Sequence, residues 1–249
     1  MLVSMTTANG RPIHVGTSGF SYTEWRVSFY PQDLSPKKFL SFYAQHFDTT
    51  EINNTFYRLP TAKLTQGWYA EVPDGFLFTL KVSQKITHIR RLKDADQEME
   101  VFLTAAASLK EKLGPILVQL PPNFKKDTER LADFLARFAS RGRLAFEFRN
   151  DSWFSDDVYE LLRKYNSALG VIEKEEGEGA DAPREVTGPF VYIRLRKGEY
   201  TPTELSDWAR WIRARKEEVF CYVKHDVKAP ILGRNLLDAL RESSDRLPG

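Results

Sequence analysis

The chain has 249 residues, of which 42% are hydrophobic and 13% aromatic, so it can bury the core of one large barrel domain or of two small domains. Its formal net charge of +2 gives no electrostatic argument for nucleic acid or a membrane surface as partner. The single cysteine, Cys221, excludes a disulfide framework, and no apolar run approaches the roughly 20 residues of a membrane span. We therefore expect a cytoplasmic protein.

Short apolar runs alternate with helical patterns along the chain, which is typical of parallel strands joined by helices. Residues 1–11 form a loose polar lead-in without the order of a secretory signal. Eight runs have the length and composition of strands: 13–16, 49–54, 76–82, 116–120, 144–149, 168–172, 190–195 and 219–223. Seven segments have helical spacing or helix-start signals: 35–47, 62–71, 95–112, 128–139, 155–165, 202–215 and 232–241.

Two segments lack an apolar period and are predicted to be loops. Residues 85–92 form one of them, and the acidic residues 173–188, rich in Gly, Pro and Ala, form a surface loop where a helix would otherwise follow the sixth strand. The pattern predicts one domain over residues 1–249, an α/β fold of the (β/α)₈ TIM-barrel type with a degenerate crossover after strand six.

The fifth strand, 144–149, carries the first sign of a functional site. Alternation places Leu144, Phe146 and Phe148 on one face, whereas Glu147 and Arg149 lie on the other. Opposite charges on an apolar strand are costly to bury unless they are paired or used. Barrel sites lie at the C-terminal strand ends, so we expect these two side chains to reach the mouth of the barrel.

Other strands supply long polar side chains at the same level. Period two places seven of them on the face of their strand that points into the barrel: Glu51, Asn53, Lys81, Gln119, Glu147, Arg149 and Arg194. One interpretation is a salt-bridge network that only closes the barrel. The other is a ligand site, favoured because buried ion networks rarely stabilise a protein more than apolar packing does.

The charges narrow the chemistry of such a site. Three cations against two carboxylates favour a small anionic or polyhydroxyl ligand, held by arginine forks. Interleaved cations disfavour a divalent metal, and no cofactor is predicted. Glu51 and Glu147 are the candidates for acid–base catalysis, with their separation across the barrel left open.

Aromatic and histidine side chains in the loops above the strands are candidate ligand contacts. Trp25, Tyr57 and His88 are assigned to ligand binding. The aromatic residues that follow strands one, two and five either roof the barrel or form a stacking wall for a sugar or base. They are Phe20, Tyr22, Trp25, Tyr30, Phe56, Tyr57, Trp153 and Phe154. The turn from Gly16 to Gly19 either presents N–H groups to an anion or is simply a tight turn.

The sequence resembles the YecE-like family, also called domain of unknown function 72, over about residues 13–240. The matching phrases are Gly16-Thr17-Ser18-Gly19-Phe20-Ser21-Tyr22, Trp25, Phe29-Tyr30-Pro31, Phe47-Asp48-Thr49, Glu51-Ile52-Asn53, Phe56-Tyr57, Leu80-Lys81-Val82-Ser83, Ile86-Thr87-His88, Gln119-Leu120-Pro121-Pro122, Glu147-Phe148-Arg149, Ser152-Trp153-Phe154 and Tyr192-Ile193-Arg194-Leu195. The resemblance implies a TIM-type barrel with a polar pocket at the strand ends, and it supplies no settled reaction.

The chain departs from the family pattern after strands six, seven and eight. It has Glu173-Lys174-Glu175 where an Asp is usual, Arg196-Lys197-Gly198 in place of His-Gly, and Lys224-His225-Asp226 in place of Asn-Asn before an acidic or His residue. These changes make that side of the barrel more basic.

Two functions follow from these observations. The first is a metal-independent enzyme or binder of a small anionic or carbohydrate-like ligand, with Asn53 and Gln119 orienting and the three cations binding charge. The second, less favoured, is a non-catalytic protein that binds nucleic acid or a phosphorylated ligand. The oligomeric state stays open.

Overall fold

The structure, a computed structural model, describes residues 5–173, 181–224 and 227–244. Its strands are β1 (Met5–Thr6), β2 (Pro12–Ser18), β3 (Thr49–Ile52), β4 (Leu77–Lys81), β5 (Leu113–Leu120), β6 (Leu144–Phe148), β7 (Ala168–Ile172), β8 (Phe190–Leu195) and β9 (Glu218–Val223). Neighbouring strands from β2 to β9 pair in parallel, and β9 pairs back with β2. These eight strands therefore close a TIM-type α/β barrel, as the sequence pattern predicts.

Helices lie between the barrel strands. They are α1 (Phe39–Tyr43), α2 (Asn54–Tyr57), α3 (Ala62–Glu71), α4 (Asp96–Ala107), α5 (Thr128–Phe138), α6 (Asp156–Lys164), α7 (Pro202–Arg213) and α8 (Ala229–Ser244). The first is shorter than predicted, because a 3₁₀ turn at Pro36–Lys38 replaces its start.

Strand β6 shows how alternation separates the two layers of the barrel. Phe146 packs outward against Phe134 of α5, with 6.3 Å between ring centroids, and Phe148 stacks on Trp153 at 4.8 Å. The interior below the mouth is filled by a separate buried cluster: Leu117, Ala145, Ala168, Phe190, Tyr192, Phe220 and Tyr222. The predicted inward face of β6 is thus confirmed, with Ala145 in the packed interior layer.

Gly16, inside β2, and Gly19, directly after it, both have structural reasons to be glycine. A Cβ on Gly16 would lie 2.0 Å from the carbonyl oxygen of Thr49 on β3, so no side chain fits between these strands. Gly19 has a φ of +98°, in the region that favours glycine. The turn therefore needs no ligand to explain its sequence.

Three segments are more ordered than the sequence pattern indicates. Residues 5–11 are not a loose lead-in, because β1 pairs antiparallel with β2 and Met5 is buried. The predicted loop at 85–92 contains a π-helical turn at Lys85–Ile89. After β7, residues 174–180 lie outside the described residues, and residues 181–188 form no helix or strand. Thr187 is nevertheless buried there, and it is hydrogen-bonded to the backbone of Ser167 and Leu169 at 2.8 Å.

Candidate functional site

Arg194 lies at the centre of the mouth and joins two carboxylates from different parts of the barrel. Its Nη2 lies 2.8 Å from Oε1 of Glu51 on β3, and its Nη1 lies 2.5 Å from Oε2 of Glu147 on β6. All three residues are buried, with at most 2% exposure. A buried arginine shared by two carboxylates is a high-energy arrangement unless every charge is matched. We call Glu51, Lys81, Glu147, Arg149 and Arg194 the mouth cluster.

The two carboxylates of the mouth cluster stay ionised. Burial alone would raise the pKa of Glu147, but attraction to Arg194 and Arg149 holds it well below its usual range. Burial of Glu51 is likewise outweighed by Arg194 and by the hydroxyl of Ser18, so its pKa is also lowered. A general acid needs a pKa near the working pH. The structure gives neither glutamate that property, so the acid role expected for them gains no support from their surroundings.

Glu51 is held by three further polar groups. The hydroxyls of Ser18 and Tyr192 donate to its two carboxylate oxygens. Asn53 Nδ2 donates to Ser18 Oγ at 2.8 Å and to Glu51 Oε1 at 3.3 Å. Strand register explains the first contact, because Ser18 of β2 pairs with Glu51 of β3. Ser18 and Tyr192 are not among the predicted site residues, although Tyr192 precedes Arg194 by two positions and shares its inward face.

Glu147 has its own set of donors. Gln119 Nε2 lies 2.6 Å from Glu147 Oε1, and the two residues are register partners on β5 and β6. Arg149 Nε lies 3.1 Å from the same oxygen, and the Arg149 side chain is 34% exposed. The predicted residues Asn53, Gln119 and Arg149 therefore join the buried carboxylates, as their spacing along the strands indicates.

Two cations of the mouth cluster keep donor groups without a protein partner. Lys81 is 8% exposed and its Nζ lies 4.2 Å from the ring centroid of Phe56. Among residues 5–173, 181–224 and 227–244, the Lys81 side chain makes no hydrogen bond or ion pair, and the Arg149 side chain donates only through its Nε. Burial and repulsion from Arg194 lower the pKa of Lys81 to about 8, in spite of attraction to Glu147.

His88 and Tyr57 lie at the rim, next to the ring of Phe56. The His88 ring centroid is 4.9 Å from that of Phe56, and the Tyr57 centroid is 5.1 Å from it. Burial and the positive charges of Lys81 and Arg149 lower the pKa of His88 to about 4, so its imidazole is neutral at pH 7. Tyr57 is 72% exposed. Both lie near the mouth cluster, as expected.

Trp25 does not join this group. It is fully buried, and its ring packs against Phe29 and Tyr30 at about 6 Å between centroids. Trp153 is also fully buried, with its Nε1 donating to the carbonyl oxygen of Phe124 at 2.7 Å. These aromatic residues form part of the packed outer layer, because long loops of a barrel need their own apolar core. The stacking-wall interpretation therefore loses Trp25 and Trp153.

The residues that depart from the family pattern after β7 and β8, the sixth and seventh strands of the barrel, belong to a separate polar group. Glu173 is buried and accepts hydrogen bonds from the hydroxyl of Tyr200 and from Trp208 Nε1 at 3.4 Å. Lys197 Nζ lies 3.3 Å from the same carboxylate. Arg196 is also buried. His225, at the end of the eighth predicted strand, lies outside the described residues.

Two cavities lie away from the mouth cluster. One of about 700 Å³ is lined by His14, Phe47, Asp48 and other residues near the start of the strands. One of about 520 Å³ lies between α7 and α8. Within the described part of the chain, no group of three His, Cys, Asp or Glu residues is placed to hold a metal ion. In the same residues, every helix is too short or too polar to cross a membrane.

Comparison of the sequence with known proteins identifies one family model and several relatives. The family model "Protein of unknown function DUF72" matches residues 14–248. UPF0759 protein YunF of Bacillus subtilis is 32% identical over 181 residues, which are 68% of this chain and 63% of YunF. UPF0759 protein YecE of Escherichia coli K12 is 28% identical over 145 residues, which are 57% of this chain and 50% of YecE. The chain thus matches only part of the length of each relative.

Solved structures of DUF72 family proteins resemble this chain in fold. A DUF72 family protein from Thermotoga maritima superposes with a TM-score of 0.77 at 26% identity, covering 94% of this chain and 99% of that one. A DUF72 family protein from Enterococcus faecalis has a TM-score of 0.74 at 20% identity, covering 96% and 100% of the two chains, and supports the fold alone. Because the family model covers nearly the whole sequence, the chain belongs to the DUF72 family of proteins of unknown function.

Proposed function

We propose that the mouth cluster binds a small anionic or polyhydroxyl ligand. The observation that carries the proposal is the set of N–H donors that Lys81 and Arg149 leave unused. Lys81 Nζ has no hydrogen-bond or salt-bridge partner among the described residues, and Arg149, which meets Glu147 through its Nε, makes no hydrogen bond there with its two terminal nitrogens. Arg194, in contrast, is neutralised by Glu51 and Glu147. A cation kept close to a buried triad without its own carboxylate is suited to an incoming anion.

The charge and shape of the cluster support this ligand class. Lys81, Arg149 and Arg194 against Glu51 and Glu147 leave 3 − 2 = +1. The free edge of the Arg149 guanidinium can hold two oxygens of a carboxylate or phosphate, and Lys81 supplies a compact point charge. The proposed binding site consists of protein side chains alone.

The other predicted site residues hold the cations and carboxylates in place or line the rim of the site. We assign to Glu51 and Glu147 the fixing of Arg194 and Arg149, in place of acid–base catalysis. Asn53 and Gln119 orient those carboxylates by the hydrogen bonds described above. Tyr57 and His88, next to Phe56, form an uncharged wall at the rim, which suits the apolar part of a small ligand.

A nucleic-acid ligand is the less favoured alternative. Base stacking needs exposed aromatic rings, but Trp25 and Trp153 are buried. The formal net charge of +2 is also small for a backbone-binding surface. We propose a cytoplasmic location because the lone Cys221 is buried and unbridged.

Thermal-shift measurement with a panel of ligands tests the proposal. The panel contains inorganic phosphate, pyruvate, a sugar phosphate and a neutral sugar. We expect a saturable rise in melting temperature for at least one anion, because a ligand at a hundred times its Kd adds about 2.7 kcal/mol to the free energy of unfolding. The rise should disappear in Arg149→Gln.

Arg143→Gln is the matched control. Arg143 is 35% exposed and has one glutamate partner, as Arg149 does, but it lies away from the mouth cluster, with its Nη1 2.8 Å from Glu218. The control should keep the full ligand-dependent rise. An equal rise in wild type and Arg149→Gln, or no rise with any member of the panel, would contradict the proposal.

A further inference from the structure

We infer that Lys81 is a nucleophilic amine, and that the mouth cluster accepts small oxo acids whose carbonyl carbon forms an imine with its Nζ. The inference rests on the proposed function, because it needs Arg149 to hold the carboxylate of the same molecule. It adds to that function a covalent step and a substrate class: aldehydes and ketones that carry a carboxylate.

Comparison with Lys112 shows what is unusual about Lys81. Both lysines are buried, and the Nζ of Lys112 lies 4.4 Å from the ring centroid of Tyr69. Lys112 also donates to the carbonyl oxygens of Tyr69 at 3.0 Å and Val72 at 2.7 Å, and lies 3.7 Å from a carboxylate oxygen of Asp74. These contacts pair the N–H donors of Lys112 with protein oxygens. Lys81 has the ring of Phe56 and no hydrogen-bond acceptor among the described residues.

The surroundings of Lys81 favour the free amine. Desolvation disfavours an ammonium ion, and the fixed positive charge of Arg194 disfavours it further. Glu147 and Glu51 attract the ammonium form, but both are in contact with Arg194, and burial together with Arg194 outweighs that attraction. Removal from water and a neighbouring cation are the two known ways of activating a lysine for Schiff-base chemistry.

The substrate class follows from the two unused donors. Arg149 presents the geometry that a carboxylate matches in a bidentate contact. Lys81 ends β4 and Arg149 directly follows β6, and both of these strands pair with β5, so the two side chains come from strands only one strand apart. A compound with a carboxylate on Arg149 and a carbonyl group within reach of Lys81 uses both donors, and 2-oxo acids have this arrangement.

The chemical step is balanced without a redox partner. The lone pair of the neutral Nζ attacks the carbonyl carbon, forming a C–N bond while the π electrons move to oxygen. A proton passes from nitrogen to that oxygen, giving a carbinolamine. One further proton from solvent allows the hydroxyl group to leave as water, and the nitrogen lone pair forms the C=N bond. Free amine, carbonyl compound and one proton thus give a protonated imine and one water.

Borohydride trapping tests the inference on the whole chain. The protein is incubated at pH 8 with pyruvate or glyoxylate, sodium borohydride reduces any imine to a stable secondary amine, and peptide mapping by mass spectrometry locates the adduct. We expect saturable modification concentrated at Lys81. The adduct at this position should be lost in Lys81→Arg, which keeps the charge, and retained in Lys112→Arg.

Arg149→Gln tests the role of the carboxylate. With pyruvate it should lower the rate of labelling at Lys81 by at least tenfold, whereas labelling by the uncharged aldehyde propanal should change less than twofold. Equal labelling of Lys81 with pyruvate in wild type and Arg149→Gln would overturn the assignment of oxo acids. Labelling spread over surface lysines with no excess at Lys81 would overturn the covalent inference.

The thermal shift separates this inference from the proposed function. A pyruvate-dependent rise in melting temperature without an adduct at Lys81 would leave binding intact and refute imine formation. No rise and no adduct with pyruvate or glyoxylate would refute the inference, and a rise with inorganic phosphate would then still support anion binding. If no member of the panel raised the melting temperature either, both proposals would fail.

Discussion

The mouth cluster and a second charged group of the barrel, the base cluster, differ in whether their donors are used. The base cluster consists of His14, Asp48, Arg143 and Glu218 near the start of the strands. His14 Nδ1 lies 2.7 Å from Asp48, His14 Nε2 lies 3.2 Å from Glu218, and Arg143 Nη1 lies 2.8 Å from Glu218. Each charged group there has an opposite charge in contact. In the mouth cluster, Lys81 has no such contact within the described part of the chain, and Arg149 donates to Glu147 through its Nε alone.

This difference indicates how charged residues that stabilise the fold can be distinguished from charged residues that bind a ligand. The base cluster has two cations and two carboxylates when His14 is protonated, so it is neutral and closed. The mouth cluster has a net charge of +1 and donors left over. Barrels of this type use the C-terminal strand ends for function and the N-terminal ends for stability, which agrees with the contrast.

Replacement of Arg194 by methionine should have the largest effect on stability. It leaves Glu51 and Glu147 buried without their shared partner, and breaking a buried ion pair in this way costs about 3–5 kcal/mol. Urea unfolding at pH 7 measures the loss. The triple variant with Glu51→Gln and Glu147→Gln should recover part of it, because no uncompensated charge remains. A loss below about 1 kcal/mol for Arg194→Met would contradict the buried triad.

The base cluster should make stability depend on pH through His14. Burial alone would lower the pKa of His14, but hydrogen bonds to Asp48 and Glu218 raise it from 6.5 to about 9. A raised folded-state pKa gives stabilisation that is complete below pH 6.5 and is lost as the pH rises through about 9. The loss should reach about 1–3 kcal/mol.

His14→Gln measures this contribution. The difference in the free energy of unfolding between wild type and variant should be largest near pH 6 and should shrink at higher pH. Guanidinium unfolding at a series of pH values gives the curve. A difference that stays constant between pH 6 and 10 would show that the charge of His14 does not contribute.

Lys81 should have the opposite pH dependence and the smallest effect. Burial and Arg194 lower its pKa from 10.5 to about 8, so the folded state releases its proton more easily than the unfolded chain. Its contribution to stability is therefore most favourable above pH 10.5 and is lost as the pH falls through about 8. Lys81→Met should change stability at pH 7 by less than about 1 kcal/mol, since an unpaired buried ammonium is removed.

Lys112→Met is the control for this small effect. It leaves the carbonyl oxygens of Tyr69 and Val72 without their donor, and unpaired buried acceptors cost about 1–3 kcal/mol. Denaturant midpoints at pH 7 compare the two variants. If Lys81→Met destabilised the protein as much as Lys112→Met does, Lys81 would be a structural residue.

The sequence predicts the mouth cluster well because strand periodicity is local information. Glu147, Gln119 and Lys81 follow from alternation within their own strands, and so does their place inside the barrel. The ion-pair partners of Arg194 cannot be predicted from this alternation, because they depend on which strands face each other across the closed barrel. The sequence predicts that Trp25 contacts the ligand, whereas Trp25 is buried in the structure. A loop sequence does not show whether an aromatic ring points inward or outward.

The central claim is that the mouth cluster binds anions through donors that the fold leaves unused. NMR of the protein with lysine labelled at ¹³Cε reports on each lysine while inorganic phosphate is added. We expect phosphate to cause a saturable shift of the Lys81 signal and no change in the Lys112 signal. Before phosphate is added, the Lys81 signal should titrate with a midpoint near pH 8. A Lys81 signal that does not respond to phosphate, or that responds no more than surface lysines do, would contradict the central claim.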